Sequence, residues 1–171
     1  NELKNIQSKY GTYFIVGKHE YFHGVKPIID YVNSLGIKTL ENENIYIGEK
    51  DKGFYLCGVY DWFGNKYGSY QPDINKALEN TSNQPTILLA HQPKYITQLE
   101  TTKGIDLVLC GHTHGGQIFP FNFLVKLQQP YIKGLHTHNE FTQVYVNKGT
   151  GFWGPPMRLG ASSEITILKL S

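Results

Sequence analysis

Apolar positions in this chain fall in short blocks, and their period changes along the sequence. TYFIVG (12–17) reads as a short buried strand. In PIIDYVNSLG, which follows, Ile28, Ile29, Val32 and Leu35 recur at helical spacing, with Pro27 suited to the first turn and Gly36 as the stop. IKTL (37–40), IYIG (45–48) and FYLCGVYDWFG (54–64) read as strands, separated by the polar turn clusters ENEN and EKDKG. DINKALEN (73–80) predicts a short helix capped by Asp73. PTILLAH (85–91) and IDLVLCGH (105–112) are buried strands, with a short helix expected over 95–100 between them. The stretch 115–134, rich in Gly, Pro and aromatic residues, predicts a long irregular loop. FTQVYVNKG (141–149) and SSEITILKLS (162–171) are expected to close the chain as two strands. Helices alternate with apolar strands early and strands dominate late, which implies one layered α/β domain over residues 1–171.

Composition narrows the class of partner. The 171 residues suffice for one domain with a real core. A formal charge of +2 gives no electrostatic case for nucleic acid or for a charged membrane surface. No apolar run approaches the ~18 residues that span a bilayer. The two cysteines, Cys57 and Cys110, each lie inside an apolar run and are expected to pack as small buried hydrophobes. The opening stretch NELKNIQSKYG reads as the tail of a helix, with Leu3, Ile6 and Tyr10 on one face and Gly11 as its stop. The expectation is therefore the C-terminal portion of a longer domain.

Three apolar strands end at chemistry-bearing groups: FIVG at Lys18-His19-Glu20, TILLA at His91, and LVLCG at His112-Thr113-His114. In open α/β sheets, ligands gather at the carboxyl ends of strands. Imidazole is the commonest nitrogen ligand for zinc, iron and manganese-type ions. In extended geometry positions i and i+2 point the same way, so His112 and His114 are expected to face one site. Gly111, Gly115 and Gly116 leave the backbone free to turn tightly there.

GKHE, LLAHQP and CGHTHGGQ, in that order, resemble the later motifs of the calcineurin-like metallophosphoesterases, whose pattern is D-x-H, G-D, G-N-H-E, a lone histidine, and G-H-x-H. VNKGTGFWGPPMR followed by SSEITILKL is similar to the closing segment of a bacterial-type subgroup that is often membrane-anchored. The resemblance runs from about Tyr13 to the C-terminus. It implies a layered αββα sandwich and two divalent ions (Mn, Zn or Fe) that clamp a phosphate and share a hydroxide nucleophile. It implies His91 and His112 as ligands of one ion and His114 as a ligand of its neighbour. It places His19 beside the phosphate as the acid or hydrogen-bond donor to the leaving oxygen, with Glu20 orienting that histidine and its loop. The implied substrate is a phosphorylated small molecule or lipid, a phosphomonoester or a phosphodiester, and membrane association of the parent fits the subgroup.

Two departures qualify the pattern. D-x-H and G-D do not occur in this chain and are expected upstream of Asn1, and Lys18 stands where the family has asparagine. An amide oxygen can ligate a metal and a protonated ammonium cannot. A non-catalytic, degenerate binding module is accordingly the competing reading. Three imidazoles could also hold a single zinc with water in the fourth position. Arg158, in a glycine- and proline-rich loop, suits a bidentate phosphate contact, with a structural ion pair as the alternative. His136 and His138 form a second H-x-H, expected as solvated side chains in a hairpin or loop tip, and Asp61 reads as a turn or cap residue. Phe119, Phe121 and Phe123 suit ordinary packing, with a substrate wall or membrane-facing lip as the alternative.

Overall fold

The β-branched and aromatic blocks pair as two sheets in the computed structural model, which describes residues 2–170. A small parallel sheet joins β1 (Thr12–Phe14) to β2 (Ile37–Thr39). Six further strands make the second sheet: β3 (Glu43–Ile47), β4 (Phe54–Gly58), β5 (Thr86–Leu89), β6 (Leu107–Cys110), β7 (Gly134–Thr137) and β8 (Gln143–Val146), in the order β3-β4-β5-β6-β8-β7. Strands β4, β5, β6 and β8 run parallel, and the two flanking strands β3 and β7 are antiparallel to their neighbours.

Register sorts the side chains of the large sheet into two faces. Leu56 lies opposite Ile87, and Ile87 opposite Leu107; these pack with Leu89 and Leu109 against Tyr13, Ile15 and Leu40 of the small sheet. Cys57, Leu88, Val108 and Val144 lie in one cross-strand row on the other face, against Ala77, Tyr95, Ile96 and Ile105. Each fully buried Leu, Ile or Val contributes roughly 1.5–3 kcal/mol relative to exposure. Helices α1 (Glu20–His23) and α2 (Val25–Ser34) place Tyr21, Val25 and Ile29 with Val16, and so cover the outside of the small sheet. Helix α4 (Ile74–Ala77) and the 3-10 segment Pro93–Gln98 cover the outer face of the large one. The layers are helix, sheet, sheet and helix, the αββα arrangement. At Gly58 the layers approach closely, because a Cβ there would stand 2.4 Å from the Cβ of Leu40.

Several elements follow the sequence pattern closely. Pro27 lies in the first turn of α2, and the carboxylate of Asp73 accepts the Lys76 N–H at 3.0 Å as the cap of α4. The β7–β8 pair is the expected hairpin, and both cysteines are buried and free. Other expectations are corrected. Residues 162–170 form no strand: Ile165 and Ile167 stand 87% and 94% exposed, so their alternation meets no second surface. The N-terminal helix is replaced by one 3-10 turn, Glu2–Asn5, with Leu3, Ile6 and Tyr10 exposed. Asn1 and Ser171, which those two expectations included, lie outside the described residues. The expected loop 115–134 contains helix α5 (Asn122–Gln128), which buries no residue fully and so carries no clear apolar stripe to announce it. A short helix α3 (Gly64–Tyr67) ends the run expected as strand 54–64, since β4 stops at Gly58. Among the described residues no helix is long and apolar enough to cross a membrane.

Candidate functional site

Strands β1, β5 and β6 deliver their C-terminal ends to one site, and all four histidines named from sequence arrive there in chain order: His19 after β1, His91 after β5, and His112 and His114 after β6. His19, His91, His112 and His114 line a single cavity of about 420 Å³, together with Lys18, Trp153 and residues of α5. The His91 and His112 rings meet edge to face with centroids 5.1 Å apart. His91 packs directly on the backbone of Gly17: a Cβ at that position would stand 2.9 Å from its Cε1. The Glu20 carboxylate accepts the Gly17 N–H at 2.8 Å, which fixes the β1 loop under the imidazole. His19 is exposed at the start of α1, near the edge of Phe22.

The H-x-H segment reaches the cavity by a different route from the extended one expected. His112 and His114 hold positive φ of 67° and 50°, with Thr113 right-handed between them. Left-handed backbone at two non-glycine residues is uncommon and costs energy, and such residues cluster at functional sites. The turn is held by its middle residue: the buried Thr113 hydroxyl donates to the Ile132 carbonyl at 2.7 Å, and the Thr113 N–H donates to Gly111 O at 2.7 Å.

Partial burial favours the neutral form of His91, His112 and His114. It pulls His91 from 6.5 down to about 4, and pulls His112 down to about 3 with help from the neighbouring His91 ring and the Lys18 ammonium. His114 is lowered too, again chiefly by burial, with Arg158 adding to the effect. Neutral imidazole is the ligating form. The Gly151 carbonyl lies 3.3 Å from His114 Nδ1; an Nδ1–H donated there leaves the Nε2 lone pair free, the usual way a second contact sets the tautomer of a ligand. Among the described residues no three His, Cys, Asp or Glu side chains stand as a group able to hold an ion by themselves.

Arg158 lies behind this site and is absent from the cavity wall. Its guanidinium donates to the carbonyls of His114, Lys148, Gly149, Gly151 and Ala161, and Nη2 stands 3.3 Å from His114 Nδ1. Its donors are therefore engaged by backbone, and it acts on the site through His114. Lys18 turns its ammonium over Phe63, 5.6 Å from the ring centroid. His136 stacks on Tyr131 at 4.6 Å and His138 Nδ1 lies 3.0 Å from its hydroxyl, so the second H-x-H grips a tyrosine away from the cavity.

Three amide side chains that the sequence did not single out also shape the site. Gln92, next to His91, donates to the buried carboxylate of Asp61 at 2.7 Å, and Gln129 in turn donates to Gln92 at 3.4 Å and accepts the Lys94 N–H at 2.9 Å. Gln117 clamps Trp153 on the cavity wall from both sides, donating to its carbonyl at 2.7 Å and accepting its N–H at 2.8 Å. An isolated glutamine carries no sequence signal for such a role.

A model of the calcineurin-like phosphoesterase family matches residues 1–116. The chain belongs to that family. This metallophosphoesterase chain is 52% identical over 169 residues to an uncharacterized metallophosphoesterase of Helicobacter pylori, covering 98% of the chain and 45% of the relative. It is 44% identical to an uncharacterized metallophosphoesterase of Campylobacter jejuni, covering 99% of the chain and 45% of the relative. It is 43% identical to a bovine protein named transmembrane protein with metallophosphoesterase domain, covering 98% of the chain and 40% of the relative. The chain thus spans less than half the length of these curated relatives. Among solved structures, the Thermus thermophilus sulfate thiohydrolase SoxB shares the fold with a TM-score of 0.55 at 13% identity, over 79% of this metallophosphoesterase chain and 27% of that one.

Proposed function

We propose that this chain carries the histidine-rich half of a dinuclear site that hydrolyses a phosphomonoester or phosphodiester, within one metallophosphoesterase domain that includes residues outside these 171. The observation that supports it is the convergence of His19, His91, His112 and His114 on one cavity. His91 and His112 would hold one divalent ion (Mn, Zn or Fe) and His114 its neighbour; half-buried imidazoles held toward the neutral form fit that role. When bound, the ions supply the Lewis acidity that activates water and offsets phosphate charge. The chain's own groups then bind and orient. His19, exposed at the rim, gives a proton or hydrogen bond to the leaving oxygen. Glu20 holds the loop that carries it, through Gly17 N–H. Imidazoles bring no negative charge, so the carboxylate that keeps two dications together comes, in this reading, from outside these residues.

The substrate class is a phosphorylated small molecule or lipid. A membrane-proximal setting is supported by the name of the bovine relative and by the exposed Phe119, Phe121, Phe123 and Leu127 around α5, whose Val125 and Gln128 line the cavity. The test uses the full-length protein, stripped by chelator and reloaded with Mn²⁺ or Zn²⁺, on p-nitrophenyl phosphate and bis(p-nitrophenyl) phosphate. Metal-dependent turnover is expected, with His112→Ala losing metal and His19→Ala keeping it while kcat falls by about 10²–10³. Absence of metal-dependent turnover refutes the reading.

A second reading, a non-catalytic binding module, is favoured by Lys18, which takes the family's asparagine position and lines the cavity. Lys18→Asn separates the two. A gain in metal occupancy and turnover marks an attenuated enzyme, and full metal loading without turnover marks a binding module.

A further inference from the structure

Beside the histidine cavity lies a second cleft of about 520 Å³, and the two share Lys18, His112, Gln128 and Gln129 as a common wall. The two spaces are therefore immediate neighbours. The second cleft is built differently. Lys18, Lys66 and Lys94 line it with Trp62 and Phe63, and no carboxylate is among its lining residues. None of these lysines belongs to an ion pair among the described residues; the pairs present are Lys26–Asp30, Lys38–Glu43 and Lys148–Glu164. Asp61, whose Oδ1 accepts from Phe63 and Gln92 of the cleft wall, is buried, with the Phe63 N–H and the Gln92 amide at 2.7 Å each.

Two of the ammoniums are placed over aromatic faces. Lys18 Nζ stands 5.6 Å from the Phe63 centroid, and Lys94 Nζ stands 5.9 Å from that of Trp62. At that distance the ring quadrupole orients the cation without neutralising it. The floor is fixed as well, because the Lys94 N–H donates to Gln129 Oε1 at 2.9 Å and Gln129 is tied to Gln92. Three lysines outside any ion pair, lining one concave site, focus a field that favours a multiply charged anion. Ammonium groups bind phosphate as point charges, and the cations of this cleft are all lysines.

We propose that the cleft is a second phosphate subsite, so that the substrate is a phosphoester bearing a further phosphate group, which Lys18, Lys66 and Lys94 hold while the scissile phosphate lies among the histidines. This rests on the hydrolytic reading of the histidine cavity. The expected consequence is selectivity by charge: a bisphosphate is preferred over the matching monophosphate. Trp62 then supplies a flat apolar surface to the carbon skeleton between the two phosphates.

The test compares the full-length protein with its Lys66→Ala/Lys94→Ala variant, on 1,3-propanediol bisphosphate and 1,3-propanediol monophosphate, by release of inorganic phosphate. The wild-type protein is expected to favour the bisphosphate in kcat/KM by about tenfold or more, and the variant to lose about tenfold of that ratio. A wild-type ratio near one, or a ratio the variant leaves unchanged, overturns the subsite. Calorimetric titration of both proteins with methylenediphosphonate gives a readout independent of turnover. If no phosphoester is hydrolysed, the hydrolytic reading fails, and the titration alone decides the cleft: about tenfold weaker binding by the variant supports it, and equal affinity overturns it.

Discussion

Asp61 offers the most quantitative check on the packing behind the site. Its side chain is 1% exposed, and Oδ2 is buried without a partner, while Oδ1 accepts from Phe63 N–H and Gln92. Burial raises its pKa from 3.8 to about 6, against the lowering effects of those two hydrogen bonds and of Lys94; Glu20 adds a smaller upward push. A raised folded-state pKa means that the native protein binds more protons than the unfolded chain between these values. The resulting stability is full below pH 3.8 and is lost as pH rises through about 6. Applying the linkage relation to these two values gives a loss of about 1.4 kcal/mol between pH 5 and pH 7.5. For a domain of this size that is about 3–6 °C in Tm. Asp61→Asn keeps the Oδ1 acceptor and removes the titration. Thermal unfolding of both proteins at pH 5 and pH 7.5 isolates the effect, because other groups titrate alike in each. The wild-type Tm should fall relative to the variant's by about 3–6 °C over that interval. Parallel pH profiles would refute the assignment of a buried, raised carboxyl at position 61.

Other consequences follow from single contacts. Gly17→Ala puts a methyl 2.9 Å from the His91 ring, so metal affinity measured by competition with a chelator should weaken by about tenfold while the far-ultraviolet spectrum is kept. Arg158→Lys cannot reach the carbonyls of His114, Gly149, Gly151 and Ala161 together, and should cost about 2 kcal/mol in denaturant unfolding and open residues 149–161 to limited proteolysis. Burial pushes the Cys57 thiol up to about 12 and raises Cys110 as well, so neither should react with an aromatic disulfide reagent until the protein unfolds; native-state labelling would contradict the packing.

The sheet was legible because its strands are apolar blocks of four to five residues with clear turn signals around them. The histidines were legible because they sit directly after those blocks. The route of the H-x-H segment was not, since residue type does not reveal that His112 and His114 adopt left-handed backbone while Thr113 anchors the turn. Helix α5 was hidden by its lack of a buried face. The closing segment misled in the opposite sense: ITILKL has strand periodicity, but Ile165 and Ile167 face solvent. Arg158 shows a further limit, because a guanidinium near a site reads as a phosphate clamp until its carbonyl partners are seen. The Gln92–Gln129 link and the Gln117 clamp are tertiary pairings at separations of about 36 residues, beyond any local pattern.

Metal placement tests the account most directly. Crystals of the full-length protein grown with zinc, measured across the zinc absorption edge, should give an anomalous peak about 2.0–2.1 Å from imidazole nitrogens of both His91 and His112. A second peak should lie at His114. Ions bound only at His136 or His138, or no peak at the strand-end histidines, would contradict the assignment of this cavity as the metal site.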